Sequence, residues 1–252
     1  MGKRILVTSG KGGTGKTSVT AGIASCLAAL GRRVVCVDAD VGLRNMDLAL
    51  GVADAAALDF GDVMAGHASL DEALSAPPGL PSLFLLAAPS EMQAEQMTSE
   101  AFARLTAELA ERFDYCFVDS PAGLGAGFQM AAAGCDRALV VSLLEPAALR
   151  DAARAVEALE QAGVMGATLV INRVRPRMLR EPGAANVDDA MDAVGLPLLG
   201  VVPEDVAVIH AGNQNVPVIL YARKGAAQAY LDMARRLDGQ RVPLPRGVKA
   251  RY

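Results

Sequence analysis

The sequence predicts an α/β fold in which a mostly parallel, twisted sheet carries helices on both faces. Three observations predict it. Short apolar runs of strand length recur along the chain, segments of helical period lie between them, and the first run feeds a glycine-rich loop that opens onto the first helical segment. The runs are apolar at nearly every position, not at alternate ones, as in strands buried on both faces.

In order, the strand candidates are RILVTS (4–9), RVVCVDA (33–39), SLFLLAA (82–88), YCFVDS (115–120), RALVVSL (137–143), ATLVINR (167–173) and PLLGVV (197–202). Between them a helix is predicted from about Lys16 to Leu30. A second spans TSEAFARLTAELAERF (98–113), with Thr98 or Ser99 as N-cap and Phe102, Leu105, Leu109 and Phe113 recurring at spacings of three and four. A third, PAALRDAARAVEALEQAG (146–163), carries Pro146 in its first turn and closes at Gly163. GAAQAYLDMARRL (225–237) is the last. SAPPGLPS (75–82) and the longer, basic RVRPRMLREPGAANVDD (173–189) read as surface loops. No internal repeat or Pro/Gly/Ser-rich linker divides the chain. A single domain is expected over residues 1–238, followed by a basic, proline-containing tail at 239–252.

Composition narrows the function classes. With 252 residues and 52% hydrophobic content, one large core can be filled. Aromatic content is 4% with no Trp, and the net charge is −4, so neither stacking platforms nor a generally basic surface favour nucleic acid as a partner. Cys26, Cys36, Cys116 and Cys135 are widely spaced without a C-x-x-C pair, which argues against a cluster or zinc site and suits reduced core thiols of a cytoplasmic protein. No apolar segment approaches a membrane span, and MGKRILVTSG lacks the apolar region of a secretory signal.

The chemistry starts in TSGKGGTGKTS (8–18), which contains G-x-x-x-x-G-K-[ST] as Gly10, Gly15, Lys16 and Thr17. Set between a strand and a helix, this loop marks a P-loop NTPase domain. Gly10, Lys11, Gly12, Gly13, Thr14, Gly15, Lys16, Thr17 and Ser18 form the candidate nucleotide loop. Its glycines allow backbone N–H groups to face a phosphate at the positive end of the helix. Lys16 is expected to reach the β- and γ-phosphates of ATP, and the Thr17 hydroxyl to ligate Mg²⁺. Two strands end in acids: Asp38 and Asp40 in VVCVDADVG, and Asp119 in YCFVDSPAG. In parallel sheets such positions gather at the ligand-binding edge. Thr17, Asp38, Asp40 and Asp119 are therefore the candidate Mg²⁺ ligands. Asp119 takes the Walker-B role, and Asp38 or Asp40 orients an attacking water, with Lys11, Lys16 and Asp40 the catalytic candidates. Either strand-end acid taken alone can equally cap the following helix.

KGGTGKT carries a second lysine, Lys11, and resembles the deviant Walker A motif of the ParA/MinD superfamily. DADVGLRNMDLALG, DSPAG and VVPED look like their counterparts in its septum-site-determining MinD branch, and the likeness runs from residue 3 to about 238. The resemblance implies an ATPase in which Lys11 reaches the phosphates bound by a second copy, making an ATP-dependent homodimer. On the residues alone Lys11 reads as a solvated loop lysine. The resemblance also implies a base pocket of Asn172, Arg173, Pro203 and Asp205, and a γ-phosphate-sensing segment containing Asn45 and Asp47. Asp151 is either a partner-facing residue or an ordinary first-turn carboxylate, and His67 and His210 read as structural or surface residues. The implied partners are a MinC-like division inhibitor, a MinE-like or DivIVA-like regulator and the anionic cytoplasmic face of the inner membrane, bound peripherally. A ParA-like ATPase positioning DNA or another cargo is the alternative, for which the loop arginines Arg173, Arg175, Arg177 and Arg180 are available. The chain departs from the MinD pattern in its tail. Arg241, Arg246, Lys249 and Arg251 make it basic, but Pro243 and Pro245 break any helix, leaving Val248 and Tyr252 as apolar anchors. The amphipathic membrane helix expected there is not written in the sequence.

Overall fold

The computed structural model describes residues 1–41, 45–53, 58–90, 98–175 and 186–244. Seven parallel strands form one sheet: β1 (Lys3–Thr8), β2 (Val34–Asp38), β3 (Leu83–Leu86), β4 (Tyr115–Asp119), β5 (Arg137–Ser142), β6 (Ala167–Val174) and β7 (Leu198–Pro203). Each coincides with an apolar run picked out above, differing by one to three residues at its ends. Their order is β3-β2-β4-β1-β5-β6-β7. From β1 the chain winds one way through β2 and β3, then returns through β4 and crosses to β5 on the other side of β1. The winding direction thus reverses around β1, and a crevice opens at its carboxyl end.

The strands are buried on both sides because helices cover both faces. α5 (Ser99–Arg112), α6 (Ala126–Ala133), α7 (Pro146–Gln161) and α8 (Val187–Val194) pack on one face. α1 (Lys16–Ala29), α2 (Met46–Leu50), α9 (Val206–Asn213), α10 (Val218–Tyr221) and α11 (Ala226–Leu237) pack on the other. Two short helices, α3 (Phe60–Met64) and α4 (Leu70–Ala73), extend the first layer. Successive β1 residues alternate between the layers: Leu6 faces Phe102, Leu109 and Phe128, whereas Ile5 and Val7 face Ile23, Leu27 and Tyr230. Removing a fully buried ring such as Phe102 would cost about 3–5 kcal/mol. Local signals set the helix ends. Thr98 caps α5, its hydroxyl accepting from Ala101 N at 3.1 Å, and Pro146 opens α7. All four cysteines are free and buried.

Among the described residues no helix is long and apolar enough to cross a membrane. Arg177, Arg180, Pro245 and the tail residues after it lie outside the described residues. The described start of the tail is strapped down. Arg236 in α11 donates to three backbone carbonyls, Leu199 at 2.8 Å, Val242 at 3.0 Å and Pro243 at 2.8 Å.

Candidate functional site

β1 delivers the chain into the glycine loop, which turns through left-handed backbone at Gly13 (φ +79°) and Gly15 (φ +90°). Gly15 caps α1 without a side chain, so the first-turn N–H groups keep no internal partner and remain available to an anion. The loop is gripped from both sides. An added Cβ at Gly10 would come within 2.0 Å of the Asp151 carbonyl, and one at Gly15 within 2.3 Å of Asn172 Nδ2. Asn172 Nδ2 donates to Thr14 O at 2.8 Å, which fastens the end of β6 to the loop.

Lys16 is only 8% exposed. Its ammonium donates to Ser9 Oγ at 3.2 Å, and Ser9 Oγ donates on to Lys11 O at 2.7 Å. No carboxylate of the described residues lies within ion-pair distance of it. Thr14 Oγ1 is buried with no hydrogen-bond partner. A buried cation and an orphaned hydroxyl beside free helix N–H groups are what a bound phosphate chain would satisfy.

The strand-end acids gather beside this loop. Asp38 and Asp119 are register neighbours on β2 and β4 and are almost fully buried. Thr17 Oγ1 donates to Asp119 Oδ2 at 2.6 Å and Thr20 Oγ1 to its Oδ1 at 3.3 Å. Burial pushes the Asp119 carboxyl up to about 7. The Thr17 bond opposes this, and the neighbouring Asp38 charge adds to it. Asp38 is pushed up to about 6, again by burial, against bonds from Asp40 N (3.0 Å) and Met46 N (3.3 Å). Burial also raises the Asp40 carboxyl, while the Lys16 charge lowers it. Among the described residues no three His, Cys, Asp or Glu side chains converge on a point. Two carboxylates and a hydroxyl suit Mg²⁺, which takes few protein ligands and fills its shell with water and phosphate oxygens.

A cavity of about 510 Å³ opens between the loop and the ends of β6 and β7, bordered by Gly13, Ser18, Asn172, Arg173, Pro203 and Asp205. The pairing of β6 with β7 slips between Ile171 and Val174, and this bulge turns Asn172 inward. Pro203, at the end of β7, borders the same cavity. Asp205 borders it too, and its oxygens accept from Ala207 N and Ala226 N, each at 2.9 Å, tying together the starts of α9 and α11. Asn45 stands at the N-cap position of α2 without a side-chain capping bond, and the Asp47 carboxylate accepts from Leu48 N at 2.6 Å, while residues 42–44 lie outside the described residues. Lys11 Nζ lies 3.8 Å from Glu145, with both side chains exposed. Asp151 is ion-paired with Arg154 at 3.7 Å; His67 is exposed, and His210 is exposed against the Tyr221 ring.

Ser9, Thr20 and Glu204 were not singled out from the sequence. Thr20 was legible, since it stands three residues after Thr17 and so on the same helix face. Ser9 and Glu204 carry no spacing signal, because their partners are distant in sequence or reached through loop geometry.

Residues 5–218 match the CobQ/CobB/MinD/ParA nucleotide binding domain. The septum site-determining protein MinD of Synechocystis sp. is 38% identical over 244 residues, covering 96% of this chain and 92% of that protein. This chain belongs to the MinD family. Solved MinD structures share the fold throughout. The MinD chain of the MinC:MinD cell division protein complex from Aquifex aeolicus is 35% identical with a TM-score of 0.89, covering 97% of this chain and 99% of that one. MinD complexed with Mg-ADP from Pyrococcus horikoshii is 28% identical with a TM-score of 0.83, over 94% and 96% of the two chains. The family is one of nucleotide-binding P-loop ATPases, and its MinD members serve septum-site selection in cell division.

Proposed function

We propose that this chain is an ATP hydrolase that dimerises on ATP, associates peripherally with the cytoplasmic face of the inner membrane and recruits a MinC-like inhibitor to place the division septum. Hydrolysis resets the cycle. The observation that carries the reading is Lys16, a buried ammonium with no carboxylate partner among the described residues, set in a glycine loop with free N–H donors. The Mg-ADP and MinC complexes of the relatives support the cofactor and the inhibitor partner.

In this reading residues 1–238 are the ATPase body and 239–252 the basic tail. Gly12, Gly13, Gly15 and Ser18 line the phosphates with backbone and hydroxyl donors, and Lys16 neutralises the β- and γ-oxygens. Thr17 and Asp119, with Asp38 beside Asp119 on the adjacent strand, would hold Mg²⁺, which would offset charge on the phosphate oxygens. Asp40, within the field of Lys16, orients the attacking water. Asn172 keeps one N–H and one lone pair after its bonds to Thr14 O and Arg173 N, the pair an adenine edge needs. Among the described residues Lys11 is held only by an exposed contact to Glu145, so a second copy's phosphates can draw it across an interface. A MinE-like or DivIVA-like regulator would act on that dimer.

Lys11→Ala, Lys16→Ala and Asp40→Ala should each lose ATP-dependent dimerisation or turnover, read by light scattering and phosphate release. Retention of both in all three variants sinks the assignment. Co-sedimentation with anionic liposomes in ATP and in ADP, with DNA as competing bait, tests the membrane arm. Pelleting with lipid in ATP alone supports it. ATP-dependent retention on DNA would favour the ParA-like alternative, which is weaker because the relatives named above are MinD proteins.

A further inference from the structure

The bulge at the end of β6 presents two side chains of opposite recognition chemistry at the mouth of one cavity. Asn172, with one donor and one acceptor left, complements the N6 amine and N7 of adenine. Arg173 has donors only and complements the O6 and N7 acceptors of guanine, the commonest base contact an arginine makes. Left free, adjacent residues would select different bases.

Arg173 is not free. It sits at φ +55°, a conformation that residues other than glycine keep only where their surroundings fix it. Its N–H donates to Asn172 Oδ1 at 2.9 Å, and its Nη2 donates to Glu204 Oε1 at 3.5 Å. Glu204 is itself held. Its backbone N–H donates to Val174 O at 3.0 Å, and its carboxylate accepts from Arg175 through Nε and, at 3.3 Å, through Nη2. A free carboxylate at this rim would accept from the N1–H and N2–H₂ groups of guanine. With its oxygens engaged by two arginines, Glu204 offers little to a base.

We infer that Glu204 is a specificity-determining positioning residue, which holds the Arg173 guanidinium on the β7 rim so that Asn172 alone reads the base and adenine nucleotides are taken over guanine nucleotides. The inference rests on the base-pocket reading above. Arg175 is the second arm of the clamp, keeping the carboxylate where it intercepts Arg173.

The test uses the full chain with Mg²⁺ and measures displacement of a fluorescent ADP by ADP and by GDP. Diphosphates keep hydrolysis out of the measurement. Wild type should prefer ADP. Glu204→Ala should shrink that preference by about two- to fivefold, because what holding Arg173 costs a guanine base is bounded by the strength of an exposed ion pair. Adding Arg173→Ala to Glu204→Ala should restore most of it, because the loss acts through the released guanidinium. An unchanged ratio in Glu204→Ala, or a loss that persists in the double variant, overturns the inference. Asn172→Ala separates the two levels. If it leaves the preference for ADP intact, the base-pocket reading falls and takes this inference with it. If it erases the preference while Glu204→Ala moves nothing, this inference alone falls. Both rim side chains are at the surface, and a thermal melt confirms that each variant folds.

Discussion

Thr17 Oγ1 donates to Asp119 Oδ2 at 2.6 Å, joining the first turn of α1 to the end of β4. One turn further along α1, Thr20 reaches the other oxygen of the same carboxylate. Asp38 stands beside Asp119 on the adjacent strand. Two buried carboxyls therefore share a small volume whose nearest buried cation, Lys16, belongs to the phosphate loop. Such an arrangement trades stability for a site ready to take a metal and an anion together.

That cost should be visible in the pH dependence of metal-free stability. Burial holds Asp119 protonated up to about 7 and Asp38 up to about 6, against an ordinary value of 3.8. A carboxyl whose folded pKa is raised keeps a proton that the unfolded chain has released. Its contribution is therefore fully present below the ordinary value and lost as pH rises through the folded one. In chelator and without nucleotide, thermal stability should fall between about pH 4 and pH 7. Asp119→Asn, which is always neutral, should flatten that fall and gain on the order of 1–2 kcal/mol near pH 7.5. An equal slope in the variant would show that another group titrates.

The two left-handed glycines of the loop should behave differently. At Gly13 an added methyl meets nothing within 4 Å, so Gly13→Ala carries only the backbone penalty of about 1–2 kcal/mol. At Gly15 the methyl would strike the Asn172 amide at 2.3 Å and break its bond to Thr14 O. Gly15→Ala should cost roughly 1 kcal/mol more than Gly13→Ala in urea melts of the nucleotide-free protein. Part of that excess should return when Asn172 is also truncated to Ala. Equal costs at the two glycines would mean that the amide yields without loss.

Buried parallel strands made the sheet legible, because an apolar run needs no partner information to be recognised. The P-loop was legible for the related reason that its chemistry is local: Gly10 to Thr17 is one continuous turn. Spatial convergence was less so. Asp38 and Asp119 could be suggested as strand-end acids, but their adjacency depends on β2 lying beside β4, which sequence order conceals. Asp205 shows another limit. Its motif suggests a base-pocket wall, and the residue borders the cavity, but the tie of its carboxylate to two backbone N–H groups, one from a helix that starts 21 residues later, is not written in the motif. The Arg173–Glu204–Arg175 clamp depends on a register slip that no residue pattern announces.

The thiols offer a probe of local opening. Burial pushes Cys26 and Cys116 up to about 12 and raises Cys36 and Cys135 as well. The reactive thiolate is then scarce at pH 8, and access is blocked besides. Iodoacetamide at pH 8 should label none of the four in the native protein over an hour and all four in denaturant, read by intact mass. Prompt native labelling of any one would mark its helix or strand as opening well below the global unfolding energy.

The root of the tail gives the last prediction. Arg236 spends its guanidinium on carbonyls of Leu199, Val242 and Pro243 instead of on a carboxylate, and burial lowers its pKa. A flat fork suits three acceptors in a way that the single ammonium of lysine does not. Arg236→Lys should therefore release residues 239–244 even though charge is kept. Trypsin should then cut after Arg241 at least several-fold faster, and stability should fall by about 1–2 kcal/mol. If the proposed membrane role holds, this release also frees the root of the tail, residues 239–244, from the body. ATP-dependent pelleting with anionic liposomes should then weaken while ATP turnover in solution does not change. Cleavage after Arg241 at the wild-type rate would show that the three bonds do not hold residues 239–244.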